Sequence, residues 1–258
     1  MQSSQLIFWT LSTGVLSALA TGLGALPVHF VKNNSTILRS FASAVAAGMM
    51  ISASVFSLAE EGLALKHKFP AAPYILIAGL LLGAAFFYYT EKRFSHPRID
   101  QYYLSKGITK RGFLIFVAMF VHSIPEGIAL GVSFATGNLS FGIIMALAIT
   151  VHNIPEGIAI SLPLKKDGVS TKNCALVSIM SSVPQPVMAI PSAFLAWIFE
   201  PILPIGLGFA GGAMIYLVVA ELIPDALEGG GKNLTAWGVM IGLSGMLLIT
   251  TLLNEISF

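Results

Sequence analysis

The sequence predicts an all-α integral membrane protein, built as a bundle of eight transmembrane helices. Of its 258 residues, 55% are hydrophobic and only 10% are charged, whereas soluble domains carry about 25% charged residues. The apolar residues also form runs of about 20 residues, which is the length that crosses the hydrocarbon core of a bilayer. In lipid these runs must be helices, because every backbone polar group needs an internal partner and the short alternating strands of a barrel are absent.

Eight such runs can be placed in a single domain that covers residues 1–258. The predicted spans are approximately 6–31, 39–65, 73–91, 112–136, 140–164, 173–199, 202–226 and 234–253. The first run lacks a basic flank and a clear small-residue cleavage site, so it is interpreted as a retained span rather than a signal peptide. The basic, polar segment 92–111 is predicted to be a cytoplasmic loop.

Positive charges are distributed unevenly between the predicted loops. The loops after spans 2, 4 and 6 hold only Lys66 and Lys68. The loops after spans 1, 3, 5 and 7 hold all the others: Lys32, Arg39, Lys92, Arg93, Arg98, Lys106, Lys110, Arg111, Lys165, Lys166, Lys172 and Lys232. The positive-inside rule places this second set in the cytoplasm. We therefore expect a multi-pass protein of the plasma or inner membrane, with both termini extracytoplasmic.

Composition also limits the chemistry. The net charge is only +2 and the basic residues lie between apolar runs, so the lipid bilayer is the expected surrounding and no nucleic-acid partner is indicated. The single cysteine, Cys174, can form neither an internal disulfide nor a thiolate cluster. A metal site in this chain would have to use histidine, carboxylate and amide ligands.

A duplicated motif carries the strongest functional signal. Residues 121–129 read VHSIPEGIA and residues 151–159 read VHNIPEGIA, near the middle of predicted spans 4 and 5. The short turn at 136–138 makes these spans an antiparallel hairpin, so both copies should lie at the same depth. Charged groups at the bilayer centre cost at least about 2.5 kcal/mol each. Two copies in the same context therefore favour a functional site over ion pairs that merely hold helices together.

Spacing predicts which side chains converge. His122 and Glu126 share a helix face at i, i+4, as do His152 and Glu156, and Asn153 lies close to the second face at i, i+3. Imidazole and carboxylate groups that face one another across the hairpin form a cage for a divalent cation. Zinc and its first-row neighbours accept such ligands.

The prolines and glycines of the motifs support a site. Pro125 and Pro155 each remove an intrahelical hydrogen bond and free the carbonyl four residues earlier. Irregular backbone of this kind is tolerated in transporters where it lines a cavity. Gly127 and Gly157 should let a neighbouring helix approach closely.

With these residues in place, the chain resembles the ZIP (Zrt/Irt-like protein) family of divalent metal transporters, most closely its GufA-type branch. Besides the double HxxPEG, the segments 211–216 (GGAMIY) and 221–225 (ELIPD) resemble the seventh span of that branch. The resemblance implies a transporter and not an enzyme, with a divalent metal as cargo rather than cofactor: zinc first, then iron, manganese or cadmium. It is compatible with a homodimer. It implies as transport-site ligands His122, Glu126, His152, Asn153 and Glu156.

Two positions depart from that branch. Its members often bind two metals, with an asparagine after the span-4 histidine and a glutamate on span 6. Here these positions are Ser123 and Gln185, both weaker ligands. We therefore expect one well-formed metal site and a weak or absent second one.

Spans 2 and 7 are weakly alike and run in opposite directions. This is the arrangement that an inverted repeat of spans 1–3 and 6–8 around the central hairpin would produce. Glu60 and Glu61 would end span 2 at the outer mouth, and Glu221 and Asp225 would end span 7 at the inner mouth. Acidic groups there would attract cations, although Glu60 and Glu61 could equally be interfacial residues.

His29, near the inner end of span 1, is a candidate exit ligand or simply a structural histidine. The expected function is import of divalent transition metals by alternating access. A cation or proton channel that uses the same carboxylates is the alternative. An intramembrane zinc protease would need a His-Glu-x-x-His string, which the sequence lacks. A structural or receptor protein would not explain the duplicated motif.

Overall fold

The computed structural model describes residues 3–30, 36–94 and 110–256, and the regular structure in these ranges is helical throughout. Within them, six helical stretches are long and apolar enough to cross a membrane: Ser3–Phe30, Thr36–His67, Ala72–Thr90, Leu139–Lys166, Thr171–Ile198 and Glu200–Leu252. A shorter apolar helix covers Met119–Ala135. The helical membrane bundle predicted from composition is therefore confirmed.

The α-helices follow one another with short connections. In chain order they are α1 (Ser3–Leu23), α2 (Ala25–Phe30), α3 (Thr36–Ala53), α4 (Glu60–Ala64), α5 (Ala72–Phe94), α6 (Lys110–Ala135), α7 (Leu139–Lys166), α8 (Thr171–Ser181), α9 (Pro184–Ile198), α10 (Leu203–Leu217) and α11 (Ile223–Ile256). A π-helical segment, Ser54–Ala59, joins α3 to α4, and a second, Val218–Leu222, joins α10 to α11. Short 3-10 helices cover Leu65–His67 and Glu200–Ile202.

Two of the predicted spans are broken helices. The span predicted over 6–31 is interrupted at Gly24, which lies against the backbone of Gly157: a Cβ on Gly24 would lie 2.4 Å from the Gly157 carbonyl carbon. The span predicted over 173–199 is interrupted before Pro184, which starts α9. Proline favours the first turn of a helix because it has no N–H to leave unpaired there.

One connection between predicted spans is more helical than expected. Residues 227–233, predicted as a loop, lie within α11, whose helical path is interrupted only at Gly231 with φ +70°. Glycine adopts this backbone conformation without steric cost. The ends of the predicted cytoplasmic loop 92–111 belong to α5 and α6, and its residues 95–109 lie outside the described ranges.

The four most extensive helix contacts are those of α3 with α11, α5 with α10, α6 with α9, and α1 with α7. Glycine residues at the contacts allow the backbones of the paired helices to lie very close together. A Cβ on Gly48 of α3 would lie 2.0 Å from the Val239 carbonyl oxygen, and one on Gly83 of α5 would lie 2.0 Å from that of Phe209. Such close backbone contact drives helix association where lipid offers no hydrophobic gain.

The distribution of polarity suits a lipid environment. Large apolar side chains cover the outside, with Phe8, Leu81, Ile198 and Trp237 all more than 60% exposed. The histidine, glutamate and amide side chains of the duplicated motif are buried inside the bundle. The interior that they form is centred on α6 and α7.

Candidate metal centre

The hairpin of α6 and α7 brings the two motifs together. Three residues separate the helices, with Gly137 at φ +82° and Asn138 as the N-cap, whose side chain accepts a hydrogen bond from the Phe141 backbone N–H. Both helices continue through their prolines, Pro125 and Pro155. The predicted hairpin is thus present, and the prolines do not end its helices.

The glycines of the two motifs admit neighbouring helices, as predicted. A Cβ on Gly127 of α6 would lie 2.5 Å from the Gln185 carbonyl oxygen on α9. One on Gly157 of α7 would lie 1.9 Å from the Thr21 carbonyl oxygen on α1. Helices α1 and α9 therefore contact the two motifs from either side.

A three-residue cluster lies at the centre of the hairpin. Ligand atoms of Glu126, His152 and Glu156 all lie within 4.8 Å of one another. Nε2 of His152 is 3.1 Å from Oε1 of Glu126. Glu126 and His152 are 0% exposed and Glu156 is 5% exposed. One imidazole and two carboxylates, all buried, form a donor set that suits a divalent transition metal.

His122 lies at the edge of this cluster. Its Nδ1 is 4.0 Å from Oε1 of Glu156, and its Nε2 is 3.1 Å from Oε2 of Glu221 in the second π-helical segment. Its ring packs against Phe87, with 5.1 Å between the centroids. Because the helices are antiparallel, each histidine faces the glutamate of the other motif. This crosswise arrangement leaves His122 between Glu156 and Glu221.

Several buried polar atoms of the site have no hydrogen-bond partner within the described part of the chain. They are Nδ1 and Nε2 of His122, Nδ1 of His152 and Oε2 of Glu156. The short His122–Glu221 contact does not have the geometry of a hydrogen bond. Unpartnered buried polar groups are costly. A cation bound among them would offset that cost, which is consistent with a metal site.

Asn153 and Gln185 extend the site toward α1 and α9. The Asn153 amide donates to the Ser17 carbonyl oxygen at 2.9 Å, to Ser17 Oγ at 3.0 Å and to Gln185 Oε1 at 3.2 Å. The Gln185 amide donates to Oε2 of Glu126 at 2.5 Å. Sequence reasoning missed Ser17, because a backbone carbonyl leaves no signal in residue types and a single serine hydroxyl in an apolar run is a weak one.

Three of the residues predicted as site candidates lie outside the central cluster. Ser123 donates its hydroxyl to the Met119 carbonyl oxygen of its own helix, at 3.2 Å. Asp225 forms an ion pair with Arg39 and accepts a hydrogen bond from Ser43 Oγ at 2.9 Å. His29 is exposed, with Nδ1 3.4 Å from Thr171 Oγ1. These three residues are not part of the central cluster.

Glu60 and Glu61 line a cavity at the opposite end of the bundle from Asp225. Its volume is about 590 Å³. Its other polar lining residues are Ser57, Asn138, Ser140, Thr250 and Thr251. The two glutamates are thus separate from the central cluster and face a space large enough for a hydrated ion.

Comparison with known proteins decides the family. Residues 88–250, more than half of the chain and including both motifs, match the family model described as ZIP Zinc transporter. The chain belongs to the ZIP family. It is therefore a membrane transporter of divalent metal ions and not an enzyme, and the metal is its cargo rather than a resident cofactor.

Individual ZIP relatives agree with this assignment. Zinc transporter GufA from Myxococcus xanthus is 34% identical over 238 residues, which are 90% of this chain and 94% of that protein. Zinc transporter ZIPB from Bordetella bronchiseptica is 33% identical over 257 residues, or 93% of this chain and 80% of that protein. A relative from Arabidopsis thaliana is 35% identical over 240 residues, which span 92% of this chain but 38% of that protein. The expected place of this ZIP protein in the GufA-like branch is confirmed.

Proposed function

We propose that this ZIP protein moves divalent transition metals, zinc first among them, into the cytoplasm through a site on α6 and α7. The observation that carries the proposal is the buried cluster of Glu126, His152 and Glu156. Asn153 and His122 complete the ligand set as neighbours of this cluster. The relatives GufA and ZIPB are both named zinc transporters, which supports zinc as the first choice.

Charge balance supports the ligand assignment. Two ionised carboxylates in a low-dielectric interior repel one another, and a divalent cation between them removes that repulsion. Neutral imidazole adds a nitrogen ligand without adding charge. Glu126 and Glu156 therefore match the charge of a single divalent ion.

A route through the bundle follows from the positions of the other acidic groups. The cavity bordered by Glu60 and Glu61 would collect cations on the outer side. On the inner side, the Glu221 carboxylate lies beside His122 and is 30% exposed. We propose that a cation passes from the cavity to the central cluster and leaves past His122 and Glu221.

We also propose eight spans with an inverted repeat of spans 1–3 and 6–8. The stretch Glu200–Leu252 has 53 residues, about 80 Å as a helix, and its interruption at Gly231 would let it cross twice. Predicted spans 2 and 7 each contain a π-helical segment. The packing of α1 on α7 and of α3 on α11 is matched by that of α9 on α6 and of α10 on α5. This correspondence supports a two-fold relation through the hairpin.

The orientation belongs to the same proposal. Both termini would be extracytoplasmic in a plasma or inner membrane, on the distribution of Lys and Arg between the loops. A homodimer is proposed on the family resemblance alone. Of carrier and channel, we propose a carrier, because Glu126 and His152 are fully buried and hydrogen-bonded to each other rather than open to a water-filled pore.

The test is zinc uptake into proteoliposomes. Glu126→Gln and Glu156→Gln should each reduce uptake at least about 10-fold, since even partners behind a metal ligand contribute that much to affinity. Glu228→Gln removes an exposed carboxylate and serves as the control. Uptake should also saturate with zinc concentration. Undiminished uptake in both site variants would overturn the proposed site, and non-saturating uptake would favour a channel.

A further inference from the structure

We propose that Gln185 is a positioning residue of the metal site: its amide holds one oxygen of Glu126 and thereby limits the site to a single cation. This inference rests on the proposed function. It concerns a side chain on α9, outside both HxIPEG motifs, that is 0% exposed. It differs from the sequence-based expectation, in which Gln185 was a weak ligand.

Hydrogen bonds to Glu126 and to Ser17 fix the orientation of the two side-chain amides, those of Gln185 and Asn153. At one end, Oε2 of Glu126 is a carboxylate oxygen and accepts the bond from Gln185 Nε2 at 2.5 Å. At the other end, the Ser17 carbonyl oxygen can only accept, so Nδ2 of Asn153 must face it at 2.9 Å. Rotating either amide by 180° would place two oxygens, or two N–H groups, against each other.

The two amides also pair with one another. Asn153 donates to Gln185 Oε1 at 3.2 Å, and Gln185 donates to Asn153 Oδ1 at 3.4 Å. Each NH₂ group has two hydrogens, so all four are used: by Glu126, Ser17 and the two amide oxygens. The network therefore links α1, α7, α9 and α6 in one defined arrangement.

This arrangement makes Gln185 a donor toward the site. Its Oε1 faces Asn153, and its N–H bonds to Oε2 of Glu126, so this oxygen is not open to a cation. Oε1 of Glu126 is not used by Gln185: it is hydrogen-bonded to Nε2 of His152 at 3.1 Å, and a metal shared by the two residues would replace that bond. The cluster holds two carboxylates, which balance the charge of one divalent ion, and a second divalent ion beside the first would be repelled in a low-dielectric interior.

Replacing the donor with an acceptor of the same size tests this directly. Gln185→Glu keeps the shape but presents oxygen to Oε2 of Glu126, which only a bridging cation or a shared proton would relieve. In calorimetric zinc titrations of the full-length protein in nanodiscs, this variant should bind one zinc ion more than wild type. Equal stoichiometry and affinity in Gln185→Glu and wild type would overturn the inference.

A second variant removes the donor without adding charge. Gln185→Met should weaken zinc binding and raise the KM for uptake about 10-fold, as expected when a partner behind a metal ligand is lost. The stoichiometry should stay at one, because methionine frees Oε2 but adds no carboxylate to balance a second divalent ion. Ser192→Ala is the matched control on α9, because Ser192 Oγ bonds only to carbonyls of its own helix. Unchanged KM in Gln185→Met would also contradict the positioning role.

The two proposals fail in distinguishable ways. If the site on α6 and α7 is not used for transport, Glu126→Gln retains uptake whatever happens at Gln185. If only the positioning role is wrong, Glu126→Gln reduces uptake as proposed while both Gln185 variants behave as wild type. Size-exclusion chromatography of each variant separates loss of folding from loss of metal binding, and the isosteric Gln185→Glu decides the question if Gln185→Met does not fold.

Discussion

Nε2 of His122 lies 3.1 Å from Oε2 of Glu221, and this contact connects the duplicated motif to the second π-helical segment. π-helical turns are rare and occur frequently at functional sites, since the extra residue changes which side chains face a neighbour. The contact places a second carboxylate beside the histidine that the central cluster leaves out. In the proposed orientation, this contact lies between the central cluster and the inner side of the membrane.

Glu221→Gln should therefore affect release more than loading. Removing the carboxylate beside His122 leaves Glu126, His152 and Glu156 unchanged, so we expect the maximal rate of zinc uptake to fall several-fold with little change in KM. Initial rates in proteoliposomes over a range of zinc concentrations provide the measurement. Glu255→Gln, at an exposed position far along α11, is the control, and an unaltered maximal rate would speak against the route past Glu221.

Gly157→Ala should destabilise the contact between α1 and α7. Its Cβ would lie 1.9 Å from the Thr21 carbonyl oxygen, and overpacking of this kind costs about 1–3 kcal/mol. Thermal unfolding in detergent should show a lowered midpoint, with reduced zinc uptake. Gly245→Ala is the matched control, because no atom lies within 4 Å of the added Cβ; equal midpoints for the two variants would contradict the close approach.

The ion pair between Arg39 and Asp225 should be stronger than a surface pair. Their side chains are only 18% and 32% exposed. Removing one partner leaves a poorly solvated charge, and we expect Arg39→Gln or Asp225→Asn to cost about 1–3 kcal/mol, less than a fully buried pair would. A double-mutant cycle by thermal unfolding measures the coupling. Strictly additive effects would mean that the pair contributes nothing.

The cavity bordered by Glu60 and Glu61 should act by attraction rather than coordination. The double variant Glu60→Gln, Glu61→Gln should raise the KM for zinc at low ionic strength, and the difference should shrink above about 0.5 M salt because screening then acts within a few ångströms. Glu200→Gln, outside the cavity lining and paired with Lys68, is the control. A salt-independent difference would instead indicate direct ligands.

The helical membrane bundle and the residues of the central cluster could be predicted from the sequence, because both depend on the spacing of residue types along the chain. Apolar runs have the length of a bilayer, and His152 with Glu156 share one face of a helix at i, i+4. The hairpin also followed from the short turn at 136–138. What it could not predict was that the antiparallel helices pair each histidine with the other motif's glutamate, which moves His122 toward Glu221.

Other features have no counterpart in residue types. The π-helical turns, the interruption at Gly24 and the hydrogen-bond direction at Gln185 all depend on packing between distant segments. Asp225 seemed in sequence to be a free carboxylate at the inner mouth, but folding places Arg39 beside it. The described structure supplies partners that a linear motif cannot specify.

Two main-chain oxygens of helix α1 face the motif helix α7. The carbonyl of Ser17 accepts the Asn153 amide, and the carbonyl of Thr21 lies against Gly157. Any amino acid that keeps α1 helical presents the same two oxygens. Alanine at Ser17 or Thr21 would leave both carbonyl oxygens in place and would test only the two hydroxyl groups, whereas a substitution that distorts the helix there, such as proline, would test the backbone contacts with α7.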